Sequence, residues 1–214
     1  MSSKKHPLIV NSLFKSFNRV PILENLSITV DNGTTIGIAG KNGTGKSTLL
    51  KIIAGIISPD KGDGMVYGKT IFNRSYEYRK YLAYWGQTPS LYPSLTGMEN
   101  IELSVQLSKK TYRYNDLEKY IDESGIADKI NDPVITYSMG MVQKLNLLRF
   151  ILSSWQLGLM DEPTSSLDDD GIQQLKKCFK QWNNENKAII VSSHDTSFLE
   201  TVASNIIYLD KRKS

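Results

Sequence analysis

Apolar residues gather early in the chain at Leu8, Ile9, Val10 and Leu13, and again with partial alternation at Ile22, Leu26, Ile28 and Val30. This pattern predicts two strands, followed by turn residues at Asp31-Asn32-Gly33. The short run Thr35-Ile36-Gly37-Ile38-Ala39 predicts a third strand leading into a glycine-rich loop. Beyond it, Thr48-Leu49-Leu50-Lys51-Ile52-Ile53-Ala54 has helical character and stops at Gly55. The cluster Ser58-Pro59-Asp60-Lys61-Gly62-Asp63-Gly64 is dense enough in turn formers to predict an excursion or a hairpin turn. From about residue 89 to 150 the texture becomes helical. It opens with Thr96 and Glu99 at capping-box spacing ahead of Ile101, Leu103, Val105 and Leu107, and predicts an inserted helical subdomain over about 89–152. Alternating elements then return: a strand ending at Met160, a helix near 172–182, a strand over 188–192, a short helix and a last strand over 206–209. The alternation predicts an α/β fold with a mainly parallel sheet covered by helices, with ligands at the carboxyl ends of its strands. Gly158 inside a strand is the one irregularity the pattern leaves unexplained.

Length and composition narrow the class without naming a function. The 214 residues suffice for one domain carrying a sizeable insertion, and 40% hydrophobic with 22% charged residues is the mixture of an ordinary globular protein. No run approaches the ~18 consecutive apolar residues of a membrane span. The polar start Met1-Ser2-Ser3-Lys4-Lys5-His6-Pro7 lacks the apolar stretch of a secretory signal, so the chain is expected to stay in the cytoplasm. The single Cys178 cannot form an internal disulfide and reads as a small helix residue. A net charge of +4 admits nucleic acid, nucleotide or an anionic surface as partner, but the cations are spread along the chain. The one dense cluster, Lys211-Arg212-Lys213, reads as a solvated terminus.

Chemistry enters with Gly40-Lys41-Asn42-Gly43-Thr44-Gly45-Lys46-Ser47, which fits the pattern G-x-x-x-x-G-K-[ST] between a predicted strand and a predicted helix. Glycines at 40, 43 and 45 let the backbone wrap a phosphate, so that successive N–H groups, including those of Asn42 and Thr44, point at the anion. Lys46 then reaches the β- and γ-phosphates, the Ser47 hydroxyl is suited to Mg²⁺, and Thr48 to the α-phosphate.

Downstream, Leu157-Gly158-Leu159-Met160-Asp161-Glu162 is an apolar strand ending in two carboxylates. At that position Asp161 would hold Mg²⁺ through its water shell and Glu162 would polarise an attacking water. Taken alone, the pair reads equally well as a solvated turn; the loop upstream favours the chemical reading.

Six motifs in order, over almost the whole chain, resemble the ATP-binding cassette (ABC) family. They are the phosphate loop, the Asp161-Glu162 strand, Tyr84-Trp85-Gly86-Gln87, Tyr137-Ser138-Met139-Gly140-Met141, Ser166-Leu167-Asp168 and Ser192-Ser193-His194-Asp195. The resemblance implies a P-loop NTPase fold of that family, with an antiparallel N-terminal β portion and an inserted helical subdomain in one nucleotide-binding domain spanning 1–214. It implies ATP and Mg²⁺ as cofactors. Gln87 becomes a metal ligand and sensor of a membrane partner, and His194 a contact to the γ-phosphate that orients Glu162 and water. Asp168 matches the loop joining two ATP sites across a dimer and reads equally as a helix N-cap. Phe17 aligns with the aromatic that stacks on adenine, with a plain core role as its alternative. The signature motif departs from the family's Leu-Ser-Gly-Gly-Gln at three of five positions. Ser138 and Gly140 keep what phosphate recognition needs, and Met141 loses the amide. This variant resembles the branch that exports drugs, polysaccharides and similar cargo.

The resemblance therefore implies an ATP-hydrolysing subunit that pairs with a second cassette and drives separately encoded transmembrane permease subunits from the cytoplasmic face. No direct nucleic-acid partner is expected. The alternatives are a soluble cassette ATPase of translation, DNA repair or cofactor assembly, and a regulatory nucleotide-binding module with little hydrolysis.

Overall fold

The computed structural model describes residues 6–72, 76–108 and 114–210. The basic cluster Lys211-Arg212-Lys213 lies outside them, as do residues 1–5. By internal contacts the chain divides into two compact units. The first comprises Met1–Tyr84, Trp155–Glu162 and Phe179–Ser214, and the second Trp85–Ser154 and Pro163–Cys178.

The first unit holds two sheets. In the antiparallel one, β1 (Leu8–Phe17) pairs with β2 (Val20–Val30), Leu8 opposite Val30 and Val10 opposite Ile28. The tight connection Asn18-Arg19 has positive φ at both residues (50° and 66°), the geometry that matches the twist of a two-residue hairpin. On its other edge β1 pairs with β4 (Lys61–Val66), which pairs in turn with the two-residue β5 (Lys69–Thr70). Four residues of the turn-rich cluster, Lys61 to Gly64, thus lie in a strand where the sequence predicts an excursion or a hairpin turn. Ladder hydrogen bonds to β1 decide the outcome, since Val10 opposes Gly64 and Asn11 opposes Asp63 whatever the side-chain propensities. A Cβ at Gly64 would stand 2.8 Å from the end of the Ile71 side chain, which would have to shift to admit it.

The second sheet has the order β6 (Leu82–Trp85), β7 (Leu157–Asp161), β8 (Ala188–Ser193), β3 (Thr35–Ala39), β9 (Asn205–Tyr208). Strands β7, β8, β3 and β9 run parallel, as the alternating pattern predicts. Every residue of β3, β7 and β8 is buried, which is why these strands read as apolar runs rather than alternating ones. One apolar cluster gathers Ile36, Ile38, Leu157, Leu159, Ala188 and Ile190 with Leu49, Leu50, Ile52 and Ile53 of α1 (Lys46–Ile53) and with Leu8, Val10, Ile28 and Val30 of the antiparallel sheet. A separate aromatic group joins Trp155, Phe179 and Trp182 of α5 (Asp169–Asn184), and Phe198 of α6 (Thr196–Val202). Its rings stand 5.2 to 6.0 Å apart, edge to face.

The second unit contains α2 (Gly97–Ser108), α3 (Tyr114–Glu123), α4 (Met139–Leu152) and the first part of α5. The capping box at the start of α2 forms as the spacing predicts. Thr96 N–H donates to Glu99 Oε2 at 2.7 Å, and Glu99 N–H to Thr96 Oγ1 at 3.1 Å. Ile101, Ile121, Ile126, Ile130, Val134, Leu145, Leu148 and Leu152 make its core, with Met141 packed against them. Asn100, 2% exposed, pins the segment ahead of α2: its side chain accepts from Tyr92 N–H at 2.8 Å and donates to the carbonyls of Tyr92 and Thr96.

Phe179 is 1% exposed at the centre of the aromatic group. Phe179→Ala is expected to lower unfolding free energy by about 3–5 kcal/mol in denaturant titration; a loss below about 1 kcal/mol would show that this cluster does not hold α5 and α6 together.

Candidate functional site

The phosphate loop occupies the carboxyl end of β3, and α1 begins inside it at Lys46, two residues before the sequence pattern places the helix. Gly45 is the N-cap, with φ 100° and no side-chain cap bond, so the loop rather than a capping hydroxyl sets the helix start. A Cβ on Gly45 would stand 2.9 Å from Ile22 and Leu23 of β2, which closes the loop against the antiparallel sheet. Within the loop, the Thr44 hydroxyl donates to Lys41 O at 2.9 Å, while Asn42 and Gly43 form its exposed tip. Ser47 and Thr48 follow in the first turn of α1, both partly buried. First-turn N–H groups have no partner within their own helix, so this end attracts an anion.

Lys46 is 5% exposed, and its ammonium lies between two acceptors, donating to Gly40 O at 2.6 Å and standing 3.3 Å from Glu162 Oε1. Asp161 and Glu162 sit where β7 ends, 1% and 8% exposed. Asp161 Oδ1 accepts from the Ser192 hydroxyl at 2.6 Å. Glu162 Oε2 accepts from the His194 backbone N–H at 3.2 Å and the Ser193 hydroxyl at 3.3 Å, and meets His194 Nδ1 at 2.9 Å. With the proton on Nδ1 that last contact is a charge-assisted bond, leaving Nε2 of the largely exposed ring open to a ligand. Burial, with the Asp161 carboxylate adding to it, pushes the hydroxyl of Tyr84 on β6 up to about 12.

Glu162 has φ 52°, a left-handed backbone that costs a non-glycine residue of order 1–3 kcal/mol. Its N–H is fixed by Ser192 O at 3.0 Å, so the strand register itself imposes this conformation. The arrangement holds a buried carboxylate in one orientation, aimed from β7 toward the loop lysine.

Among the residues that the sequence singles out, Gly40, Lys46, Asp161, Glu162 and His194 therefore converge in the first unit. Phe17 is 45% exposed and so is not a core residue; it ends β1 opposite Val20, on the hairpin whose Ile22 and Leu23 border Gly45. Gln87 is exposed in the second unit, two residues beyond β6. Ser138, also there, caps α4 by accepting from Met141 N–H at 3.2 Å, and a Cβ on Gly140 would lie 3.4 Å from Ser166 O. Asp168 caps α5 through Gly171 N–H at 2.8 Å and pairs with Lys144 of α4 at 2.7 Å. The sequence reading assigns no role to Ser192 and Ser193, although both hydroxyls reach the carboxylates. Their signal was two polar residues closing the apolar run 188–191.

A strand-loop-helix phosphate cradle, with a buried lysine facing strand-end carboxylates on a parallel sheet, defines a P-loop nucleotide-binding protein. Residues 23–165 match the ABC transporter family model, well over half of the chain. The chain is 32% identical over 213 residues to the uncharacterized ABC transporter ATP-binding protein YhcH of Bacillus subtilis, covering 98% of this chain and 68% of that protein. It is 29% identical over 209 residues to the lantibiotic transport ATP-binding protein SrtF of Streptococcus pyogenes, covering 96% and 88%. A solved ATP-binding subunit of an ABC transporter superposes with a TM-score of 0.85 at 26% identity, covering 94% of this chain and 85% of that one. The chain belongs to the ABC transporter family and is an ATP-binding, ATP-hydrolysing component of it. Of several other relatives it spans a smaller share, from 25% to 66% of their length.

Lys144, first, and then the Gly171 N–H hold the Asp168 carboxyl below the usual carboxylate range. A carboxylate lowered in the folded state stabilises fully above its unfolded pKa of ~3.9 and loses that contribution as pH falls through the folded value. In an NMR titration Lys144→Met is expected to move the Asp168 midpoint upward; an unmoved midpoint would show that the ammonium exerts no hold.

Proposed function

We propose that this chain is the Mg²⁺-dependent ATPase subunit of a membrane transporter, working on the cytoplasmic face as one of a pair of cassettes. The observation that carries the reading is Glu162, held in a left-handed backbone between Lys46, Ser193 and His194 at the end of β7. Its geometry suits a base that polarises water beside a phosphate bound in the loop. The N–H groups of Gly40, Asn42, Gly43, Thr44 and Gly45 cradle the phosphates, with Thr48 at the α-phosphate. Triphosphate oxygens compete with Gly40 O and Glu162 for the Lys46 ammonium, so substrate binding transfers that charge to the phosphates and leaves the carboxylate to the attacking water. Carrying a proton on each ring nitrogen, His194 would donate Nδ1–H to Glu162 and Nε2–H to the γ-phosphate. Phe17 provides the stacking face for adenine.

No group of three or more His, Cys, Asp or Glu side chains able to hold a metal occurs among the described residues. The hydroxyl of Ser47 and the carboxylate of Asp161 are instead hard oxygen donors of the kind that suit Mg²⁺, which keeps waters and takes phosphate oxygens. Gln87 is the further metal ligand that the family resemblance assigns. Mg²⁺ supplies charge neutralisation of the phosphates; Ser192 orients Asp161 for it.

The chain reads as one nucleotide-binding domain over 1–214, with a helical subdomain over about 89–152 that falls within the second unit. Ser138 and Gly140, at the start of α4, face the phosphates of a partner cassette, so ATP closes the pair and hydrolysis opens it. No helix among the described residues is long and apolar enough to cross a membrane, and the route for cargo is assigned to separate transmembrane subunits. The lantibiotic transport relative supports a transport role, and the signature variant favours export.

Glu162→Gln is expected to lower ATP turnover by about 100-fold or more while ATP binding persists and an ATP-loaded dimer accumulates in size-exclusion chromatography. Turnover equal to wild type would remove Glu162 from this role.

A further inference from the structure

Lys15 and Phe17 lie two residues apart on β1, with the Lys15 ammonium 5.2 Å from the centroid of the Phe17 ring. That is inside the ~6 Å reach of a cation–π contact. The lysine is not a free surface arm: Nζ donates to Asp60 Oδ1 at 2.8 Å, and 14% of its side chain is exposed. Asp60 is fixed in its turn. Its Oδ2 accepts from Ser16 N–H at 2.6 Å, and its own N–H donates to Phe14 O at 2.9 Å. Lys15 and Ser16 together hold the Asp60 carboxyl below the usual range. Asp60, just ahead of β4, therefore grips the end of β1 at three successive residues, two through its carboxylate and one through its N–H, and the ammonium it anchors covers one side of an aromatic ring that is otherwise half exposed. This corner borders the phosphate loop, because Lys15 pairs with Leu23, which lies against Gly45.

We infer that Asp60 and Lys15 are positioning residues for the nucleobase: Asp60 anchors Lys15, Lys15 fixes the Phe17 ring from one face, and the purine stacks on the other. An aromatic ring is electron-rich on both faces, so a cation on one side draws density away and eases stacking of a second π system on the opposite side. Holding the ring in place before the base arrives also removes an ordering cost from binding. The inference rests on the reading of Phe17 as the stacking aromatic.

The test compares Mg·ATP with Mg·tripolyphosphate, which has the phosphates and no base, by isothermal titration of the full chain. Lys15→Met is expected to weaken ATP about 3- to 10-fold and leave tripolyphosphate unchanged, with a smaller loss of the same kind for Asp60→Asn and recovery in Lys15→Arg. Retained tripolyphosphate binding reports that each variant is folded. Equal losses for both ligands would overturn the inference by making Lys15 a phosphate contact, and unchanged ATP affinity in Lys15→Met would overturn it outright. Phe17→Ala separates the two levels. A selective loss of ATP binding of about tenfold or more beside an unaffected Lys15→Met rejects the positioning role alone. No selective loss in Phe17→Ala rejects the stacking role and the inference with it.

Discussion

The site depends on the parallel register of three strands. β8 lies between β3 and β7, with Ser193 level with Ala39 and Ser192 level with Asp161. Three chain segments therefore leave the sheet side by side, and the residues just beyond the strand ends are Gly40, Glu162 and His194. Lys46 bridges the first two, and Glu162 meets the third. In a strand the side-chain period is two, so a slip of one residue in β8 would exchange Ser192 and Ser193 and separate each hydroxyl from its carboxylate. Burial of every residue in β3, β7 and β8 holds that register, because any slip would present the wrong faces to two packed layers at once.

Register also explains how a strained residue persists. Glu162 adopts φ 52° because its N–H is committed to Ser192 O while its carboxylate is committed to Lys46, Ser193 and His194. The strain is small beside the several kcal/mol that an unpaired buried carboxylate would cost. Removing any one partner leaves the others, so the orientation is over-determined. Asp161 differs in kind: its backbone is ordinary strand, and one short bond from Ser192 orients it. Adjacent carboxylates thus receive distinct environments from consecutive serines on the neighbouring strand.

What the sequence made legible follows from locality. The phosphate loop is eight contiguous residues whose pattern follows from one local mechanism, and the capping box at Thr96 is likewise contained in four residues. The apolar runs of β3, β7 and β8 follow from burial on both faces. The contributions of Ser192 and Ser193 depend on register between segments about thirty residues apart, which no local pattern encodes. β4 was hidden for a related reason. Its glycines and aspartate are turn formers by propensity, yet pairing with β1 satisfies their backbone groups, and Gly64 packs closely against the Ile71 side chain. α1 starts earlier than its apolar pattern because the Gly45 backbone, not an amphipathic face, begins it. For Asp168 the capping geometry is present in full, as one of its two sequence readings anticipated.

The altered signature motif acquires a physical account from the second unit considered by itself. Met141 stands where the family has glutamine, and it packs against the apolar core of α2, α3 and α4. The substitution therefore puts an apolar side chain packed on that core where the family has an amide. The atoms that remain at the head of α4 are the Ser138 hydroxyl and the N–H groups of the first turn. Ser138 uses one lone pair to cap Met141 N–H, which leaves its proton available for donation outward. Lys144, in the second turn of the same helix, pairs with Asp168, the cap of α5, so α4 is tied to the start of α5. The phosphate contact proposed for Ser138 would draw on these helix-terminal N–H groups and this one oriented hydroxyl.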